Sequence, residues 1–400
     1  MDQHYDKRLV TAPAWMERFR CLAGDCPEVC CQQWNVDVDP KHAESLRHIE
    51  DPELQKLMDR VLRTAHIRRP GSRHTDTIHR LQLLSQPNRC CPLLNERNEC
   101  RLQKKYGAYV LCDTCYFHPR TFWQIDEQTF LSACLSCPEC ARMALMDENP
   151  IRFSEFEAEI DPTAEWLETE LIRDPETRQL LLERSKLIKS ICGLLQNRNL
   201  SLPERIIQAL DFLEKGEKAV PDEILPAEPF DSVTLMSRFA EIFDPLSEAL
   251  EKPAQASAAF MHSLAGGSEE YAAVLAGNYR LGRKIWLRFA EKYPRTEENF
   301  LVHFVFSDLF KQFYRYQNED LSATDILRHE SALLTAWYWF FRVLFCQVSL
   351  KHGTMDADLF LKTASHADKL FWHYPDWFAR CADRMSDLTA AELRRVIVSL

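Results

Sequence analysis

Apolar residues recur every three or four positions over most of the chain beyond residue 150, which is the spacing of one face of an α-helix. The stretches Asn299–Phe310 and Ser331–Leu350 are apolar on nearly every side, which is typical of helices at the centre of a core. The spacing predicts helices near residues 163–172, 175–196, 203–215, 232–249, 269–292, 297–317, 324–351, 356–371 and 389–399.

The first part of the chain has a shorter and less regular pattern. Residues 34–39 and 78–84 alternate between apolar and polar types, and each predicts a short strand. Residues 41–63 follow a helical period and predict a helix, whereas residues 66–77 are polar and predict a loop.

These patterns together predict a mainly α protein with two parts. Residues 1–146 are expected to form an irregular, cysteine-rich, metal-binding domain with few short strands, and residues 147–400 an α-helical domain. The proline-bounded segment Asp147–Pro150 marks the predicted boundary.

The apolar stretch Ser331–Leu350 is also long enough to cross a membrane. Arg342 lies in its middle, where a charge costs about 2.5–3.5 kcal/mol on membrane-insertion scales. We therefore predict a buried core helix and no membrane span.

Cysteine is distributed very unevenly. Twelve of the fifteen cysteines lie between Cys21 and Cys140, mostly in tight groups, and only Cys192, Cys346 and Cys381 follow. Such clustering needs a reason specific to sulfur, either metal ligation or disulfides. The opening residues contain no apolar segment typical of a secretory signal, and a chain of 400 residues can bury a core without disulfides. These observations favour metal ligation in a cytoplasmic protein.

The cysteine spacing leaves the kind of metal open. Cys112-x2-Cys115 and Cys137-x2-Cys140 would together provide the four ligands of a structural zinc site. The loop Cys134-x2-Cys137-x2-Cys140 has the close spacing of a ferredoxin-type iron–sulfur loop. The Cys-x3-Cys-x2-Cys loop of the main radical enzymes that use S-adenosylmethionine is absent.

Charge and glycine content exclude some functions. The net charge is -11, and the acidic excess lies entirely beyond residue 140, which argues against a nucleic-acid partner. The chain has ten glycines and neither Gly-x-Gly-x-x-Gly nor a Walker A motif, which argues against a Rossmann-type nucleotide domain.

The N-terminal cysteines belong to a string of motifs, which are Phe19-x-Cys21-x4-Cys26-x3-Cys30-Cys31-x2-Trp34, Cys91-Pro92-Leu93-Leu94-Asn95, Cys100-Arg101-Leu102, Thr114-Cys115-x3-Pro119-Arg120 and Leu135-Ser136-Cys137-Pro138-Glu139. Further motifs follow downstream at Glu298–Val302, at Leu309-Phe310 and at Ser365-His366. The whole string is more specific than its parts and resembles the flagellin lysine-N-methylase family, which carries a broader cysteine module for zinc or iron chelation and a Glu-Asn-Tyr-Leu-Val segment similar to Glu298–Val302.

The resemblance implies a cytoplasmic enzyme that moves methyl groups from S-adenosylmethionine to lysine side chains of flagellin. It also implies a [4Fe-4S] cluster. The four cysteines Cys90, Cys112, Cys134 and Cys140 have no counterpart in the family's pattern. The family's metal-binding cysteines match Cys21, Cys26, Cys30, Cys31, Cys91, Cys100, Cys115 and Cys137, which are more than one cluster needs.

The implied reaction displaces a sulfonium methyl with a neutral amine, so the lysine must lose its proton. Candidates to orient the lysine are Glu139, Glu298, Tyr314 and Tyr338, although Glu139 can instead pair with Arg142 and the tyrosines can be core residues. Because this displacement needs no iron chemistry, the cluster would either organise the loops or bind S-adenosylmethionine through an open iron.

Three further residues have plain structural interpretations. His118 is expected to make loop hydrogen bonds, His366 to be a satisfied core histidine, and Trp34 to pack over the metal site. Two other classes of function stay open: a metalloprotein whose helical half binds a partner without catalysis, and an electron-transfer or redox-sensing protein.

Overall fold

The computed structural model describes most of the chain. Besides the ranges given at the end of this paragraph, the structure describes the isolated residues 175, 176 and 179. The helix predicted near 163–172, together with Tyr314 and Cys381, lies outside the described residues. The described ranges are 5–32, 34–67, 76–86, 88–125, 128–160, 188–215, 228–243, 269–309, 322–373 and 383–400.

Two small sheets are formed by the part of the chain that ends at Ile160. The four-stranded sheet has the order β5-β6-β1-β7, in which β1 runs parallel to β6 and antiparallel to β7. The three-stranded sheet has the antiparallel order β2-β4-β3. The strands are β1 (Asp6–Pro13), β2 (Val36–Val38), β3 (Leu62–Ile67), β4 (Asp76–Leu81), β5 (Arg120–Ile125), β6 (Gln128–Ala133) and β7 (Phe153–Ile160).

Short helices pack around these sheets. Those between residues 40 and 117 complete a small core on the three-stranded sheet, whereas the last one belongs to the main core. The helix predicted over residues 41–63 is in fact two helices and a strand, because Asp51 caps a new helix that begins at Pro52. The loop predicted over 66–77 is wrong at its two ends, which are paired in strands β3 and β4. The helices of this region are α1 (Pro40–Leu46), α2 (Pro52–Val61), α3 (Arg101–Tyr106), α4 (Asp113–Phe117) and α5 (Pro138–Leu145).

The rest of the described chain is helical, which confirms the mainly α fold with few short strands in the N-terminal region. The helix predicted over 269–292 has those bounds in the structure, and the one predicted over 297–317 changes to a π-helical turn at Val305–Leu309. The helices are α6 (Ile188–Leu195), α7 (Leu202–Lys215), α8 (Ser232–Phe243), α9 (Glu269–Lys292), α10 (Thr296–Phe304), α11 (Ala323–His352), α12 (Ala357–His373) and α13 (Ala390–Ser399).

The main core joins the larger sheet to these helices. Val10 and Trp123 from the sheet lie in the same buried cluster as Trp339 from α11, and β1 pairs with β7 along its whole length. The domain boundary predicted at residue 146 stays a prediction.

Helix α11 is the longest described helix and is largely buried in this core. Among the described residues, one helix is long and apolar enough to cross a membrane, Leu327–His352, and 89% of its apolar window is buried inside the protein. Arg342 is buried in its middle, where its guanidinium pairs with Glu297 and donates to the carbonyl of Leu400 at 2.7 Å. The burial and the ion pair fit the predicted core helix.

Helix α9 crosses α11 in direct backbone contact at Gly282. A Cβ atom added at this position would overlap the carbonyl group of Cys346, far inside van der Waals contact. Glycine is therefore required by the packing of the two helices rather than by its backbone angles.

We predict that Gly282→Ala lowers the free energy of unfolding by about 3 kcal/mol, because backbone atoms must separate to admit the methyl group. Gly277 lies on the same helix, and an added Cβ atom there would have nothing within 4 Å, so Gly277→Ala is expected to be neutral or to stabilise by up to about 1 kcal/mol. Thermal unfolding of both variants tests the prediction, and equal effects would contradict it.

Candidate metal centre and its junction with the helical region

The cysteines carry no disulfide within the described part of the chain. All fourteen described cysteines are free, and four of the twelve between Cys21 and Cys140 are buried. The thiols are thus available as ligands, as the uneven distribution of cysteine predicts. The four buried ones are Cys91, Cys112, Cys134 and Cys140.

A first group of thiols is formed by Cys21, Cys26, Cys30 and Cys137. Burial raises the pKa of Cys26, and the nearby thiols of Cys137, Cys30 and Cys21 raise it further. Cys137 comes from a distant segment and directly precedes α5, whose first-turn N–H groups face its sulfur. Its pKa falls to about 7, first because the Cys140 thiol donates a hydrogen bond to it.

A second group lies in the small core and contains Cys31, Cys91, Cys100, Cys112 and Cys115. Burial raises the pKa of Cys91 to about 12, and the neighbouring thiols of Cys100 and Cys112 add to that effect. The backbone fixes the group, since the N–H of Cys91 donates to the carbonyl of Cys31 at 2.8 Å. Each of the two groups therefore draws sulfurs from segments that are far apart in sequence.

The two groups divide the eight family-matched cysteines into two sets of four. Cys21, Cys26, Cys30 and Cys137 belong to the first group, and Cys31, Cys91, Cys100 and Cys115 belong to the second. The groups touch where the Cys31 thiol donates to Cys30, a contact that lowers the pKa of Cys30 and raises that of Cys31. The unmatched Cys112 and Cys140 nevertheless form hydrogen bonds with Cys115 and Cys137.

The donor chemistry fits a soft metal or an iron–sulfur cluster. The neighbouring sulfurs oppose one another's ionisation, and a cation among them would reverse that effect. A closed zinc site holds its sulfurs about 3.8 Å apart, given the usual zinc–sulfur bond length. Among the described residues no three sulfurs lie within 4.8 Å of one another, so the groups are wider than a zinc tetrahedron.

Helix α12 from the far end of the chain closes over the first group at the backbone of Ser136. The hydroxyl of Ser365 donates to the Ser136 carbonyl at 2.9 Å, and the Asp368 carboxylate accepts from the Ser136 N–H at 2.6 Å. Two motifs from distant parts of the sequence thus meet beside Cys137.

Two further residues of α12 reach the loop between Cys26 and Cys30. Glu28 pairs with His366 at 3.2 Å and with Lys369 at 2.7 Å, and these contacts, the His366 hydrogen bond first, lower the pKa of Glu28 to about 2. The prediction that His366 is a core histidine is wrong, because its side chain is 46% exposed.

Trp34 and His118 lie at the same junction. The ammonium of Lys369 is 5.6 Å from the centre of the Trp34 ring, and the rings of Trp34 and His118 are 5.9 Å apart. Trp34 also packs against the small core that contains the second thiol group. The Nδ1 of His118 is 3.9 Å from the sulfur of Cys134.

The residues considered for orienting lysine are engaged elsewhere. Glu139 pairs with Arg142 at 2.6 Å, and Tyr338 is deeply buried in α11, where burial raises its pKa. Glu298 is buried and is held by three arginines, which gives it a structural role: Arg198, Arg205 and Arg295.

Sequence reasoning missed Glu28, Asp368 and Lys369. The last two lie three and four residues beyond Ser365, on the same face of α12, so helical spacing from the Ser365-His366 motif was the available signal. Nothing in the sequence indicates their partners, because these lie in the backbone of Ser136 and in a loop near residue 28.

A compact group of possible oxygen and nitrogen ligands for a metal lies near the second thiol group and contains Asp39, His42 and Asp113. Its atoms already bond to one another: the His42 ring lies 2.8 Å from Asp39, and the N–H of Asp113 donates to Asp39 at 3.1 Å. This network joins α1 to α4 and holds the second thiol group's helix in place.

Comparison with known proteins gives one family and three relatives. The family model described as the FliB lysine N-methylase C-terminal domain matches residues 189–398. The chain is 26% identical over 211 residues to lysine-N-methylases from Salmonella typhimurium and Salmonella choleraesuis, which is 52% of this chain and 48% of each relative. It is 26% identical over 147 residues to the flagellar biosynthetic protein FliU of Salmonella muenchen, 36% of this chain and 82% of that protein.

These matches cover only part of the chain and only part of the candidate site. The chain spans about half the length of the two lysine-N-methylases that it matches. The family model covers α12 but not the cysteines between Cys21 and Cys140. No solved structure matches the chain.

We predict that Asp368→Ala lowers the free energy of unfolding by about 1–3 kcal/mol, because the Ser136 N–H is left without its buried acceptor. Asp358→Ala, at an exposed carboxylate on the same helix, is the matched control and is expected to change stability by less than about 0.5 kcal/mol. Denaturant unfolding of the two variants measures the difference, which should vanish if the junction contact is unimportant.

Asp39 is expected to make the stability depend on acid pH. Burial opposes its ionisation, but the hydrogen bonds from His42 and Asp113 outweigh it and lower the Asp39 pKa from 3.8 to about 2. The stability that this carboxylate contributes, about 2 kcal/mol, is therefore present above pH 4 and lost as the pH falls towards 2. Asp39→Asn should be less stable at pH 7 and lose less on acidification.

Unfolding experiments between pH 2 and pH 7 test this prediction. Asp37→Asn, two residues away and exposed, serves as the control and should leave the pH profile unchanged. Parallel profiles for Asp39→Asn and the unsubstituted protein would contradict the assignment.

Proposed function

This chain belongs to the FliB lysine N-methylase family, and on that premise we propose that it transfers methyl groups from S-adenosylmethionine to lysine side chains of flagellin in the cytoplasm. The names of the relatives support a lysine methyltransferase role, and the FliU name supports a flagellar substrate.

The observation that carries the proposal is the contact between the matched region and the segment that contains Cys137. Helix α12 lies inside the region that matches the family model, and its Ser365 and Asp368 bind the carbonyl and the N–H of Ser136. The same helix brings Lys369 near Cys30, where its charge adds to the hydrogen bond from Cys31 in lowering the Cys30 pKa. We infer that the reaction takes place at this junction.

The first thiol group is the better candidate to hold the [4Fe-4S] cluster. Cys21 is exposed, so this group opens towards solvent, and the helix of the methylase region faces it. If three of these thiols held the cluster, its fourth iron would have a free position for the amino and carboxyl groups of S-adenosylmethionine. The second group, buried in the small core, is suited to a structural metal.

The protein's own residues can bind the same end of S-adenosylmethionine. That end carries an ammonium and a carboxylate, and Glu28 and Lys369 present the two opposite charges side by side. Trp34 lies under Lys369 and gives an apolar surface beside them. Holding the methyl donor in line with the lysine amine would supply much of the rate.

We expect anaerobically purified protein to contain about four iron and four sulfide per chain. Cys26→Ser and Cys137→Ser should lose most of this iron, whereas Cys192→Ala, at a buried cysteine of α6 outside both groups, should retain it. Metal and sulfide analysis of each variant makes the measurement. Zinc without sulfide would contradict the iron–sulfur assignment.

Methyl transfer is tested with labelled S-adenosylmethionine and unmethylated flagellin. We expect label in flagellin lysines with the unsubstituted protein and a loss of at least roughly tenfold with Lys369→Ala, since a charge-assisted contact to the methyl donor is removed. Lys362→Ala, at an exposed position of the same helix, is the control. Flagellin binding without label would instead favour a non-catalytic metalloprotein.

A further inference from the structure

Three tyrosines come together on the surface near the second thiol group. Tyr116 is on α4 directly after Cys115, Tyr5 precedes β1, and Tyr109 lies between α3 and α4. The Tyr116 ring centre is 4.5 Å from that of Tyr5 and 5.5 Å from that of Tyr109. Tyr109 is 47% exposed, so part of this aromatic surface faces solvent.

One carboxylate completes the cluster. Glu159 of β7 accepts a hydrogen bond from the Tyr116 hydroxyl at 2.5 Å and from the Tyr109 hydroxyl at 3.3 Å. Both of its oxygens are thus bound by neutral phenols. No lysine, arginine or histidine of the described chain forms an ion pair with it, although Lys7 lies opposite on β1. Burial, followed by the contact with Glu159, raises the pKa of Tyr116, so this phenol stays a donor.

We propose that Glu159, Tyr109 and Tyr116 form the pocket that receives a lysine side chain of the protein substrate. The pocket combines a carboxylate for the ammonium with aromatic faces for its methylene groups and for the cation. Phenol hydroxyls hold the carboxylate in position, and no ion pair among the described residues occupies it before a cation arrives.

The position of the cluster agrees with this role, which rests on the proposed function. His118 follows Tyr116 by two residues, and its ring lies beside Trp34, the residue covered by Lys369. Tyr116 and His118 both lie at the C-terminal end of α4, so this end of the helix lies between the tyrosines and the junction where S-adenosylmethionine is proposed to bind. Strand β7 lies at the edge of its sheet, so a substrate segment can approach it.

Binding of two short blocked peptides tests the pocket directly. They differ only in a central lysine or norleucine, and NMR titration of the full-length protein gives each dissociation constant. We expect the lysine peptide to bind more tightly, and Glu159→Gln to weaken it roughly tenfold without changing the norleucine peptide. The glutamine keeps an acceptor for the tyrosines, so the fold is preserved.

The control variant is Glu157→Gln, at an exposed carboxylate two residues earlier on the same strand, which should change the lysine affinity less than roughly twofold. Tyr109→Leu, which removes a ring but no charge, should weaken the lysine peptide in the same direction. Equal binding of the two peptides, or equal effects of Glu159→Gln and Glu157→Gln, would overturn the proposal.

Peptide binding and methyl transfer, measured together, distinguish failure of the lysine pocket from failure of the proposed reaction. Lysine binding that depends on Glu159 without any methyl transfer would support the pocket and reject the methylase function. Methyl transfer whose KM for flagellin is unchanged by Glu159→Gln would support the function and reject the pocket.

Discussion

The helical region depends on the ion pair and hydrogen bond made by the buried guanidinium of Arg342. This guanidinium lies inside the long, buried helix α11, where an unpaired charge would be strongly destabilising. Glu297 of α10 neutralises it, and the Leu400 carbonyl accepts from it and from the Tyr279 hydroxyl of α9. One charge thereby fixes four segments around the centre of the core.

The neighbouring residues Glu298 and Asn299 connect the helical core to the helix that follows Cys137. Three arginines neutralise Glu298, and the Asn299 amide donates to the carbonyls of Leu145 and Asp147 at the end of α5. The opposite end of α5 begins immediately after Cys137. The Glu-Asn segment that resembles the family's motif therefore supports the thiol site. The charge of Glu298 is neutralised by ion pairs within the fold and is not available to a substrate.

Long periodic helices and the alternating strands near 34–39 and 78–84 could be predicted from the sequence, whereas the pairing of the strands and the assembly of the site could not. Helix α9 was predicted with its observed bounds because its apolar face repeats over many turns. Strand β7 has clear alternation, Phe153-Ser-Glu-Phe-Glu-Ala-Glu-Ile160, yet was missed beside a predicted domain boundary. Its partner β1 begins with exposed polar residues, and only the pairing with β7 and β6 makes it a strand.

The eight family cysteines could be named from their motifs, but their division into two sets of four depends on the fold. The adjacent Cys30 and Cys31 lie where the two groups meet, since Cys30 also raises the pKa of Cys100, and Cys137 joins the first group although it is far from Cys30 in sequence. Helix α12 then covers that group through the backbone of Ser136. Because the first site contains segments from distant parts of the chain, its ligand-binding geometry depends on the whole folded protein. A destabilising substitution in the distant helical core would therefore change the arrangement of the thiols through α5 and α12.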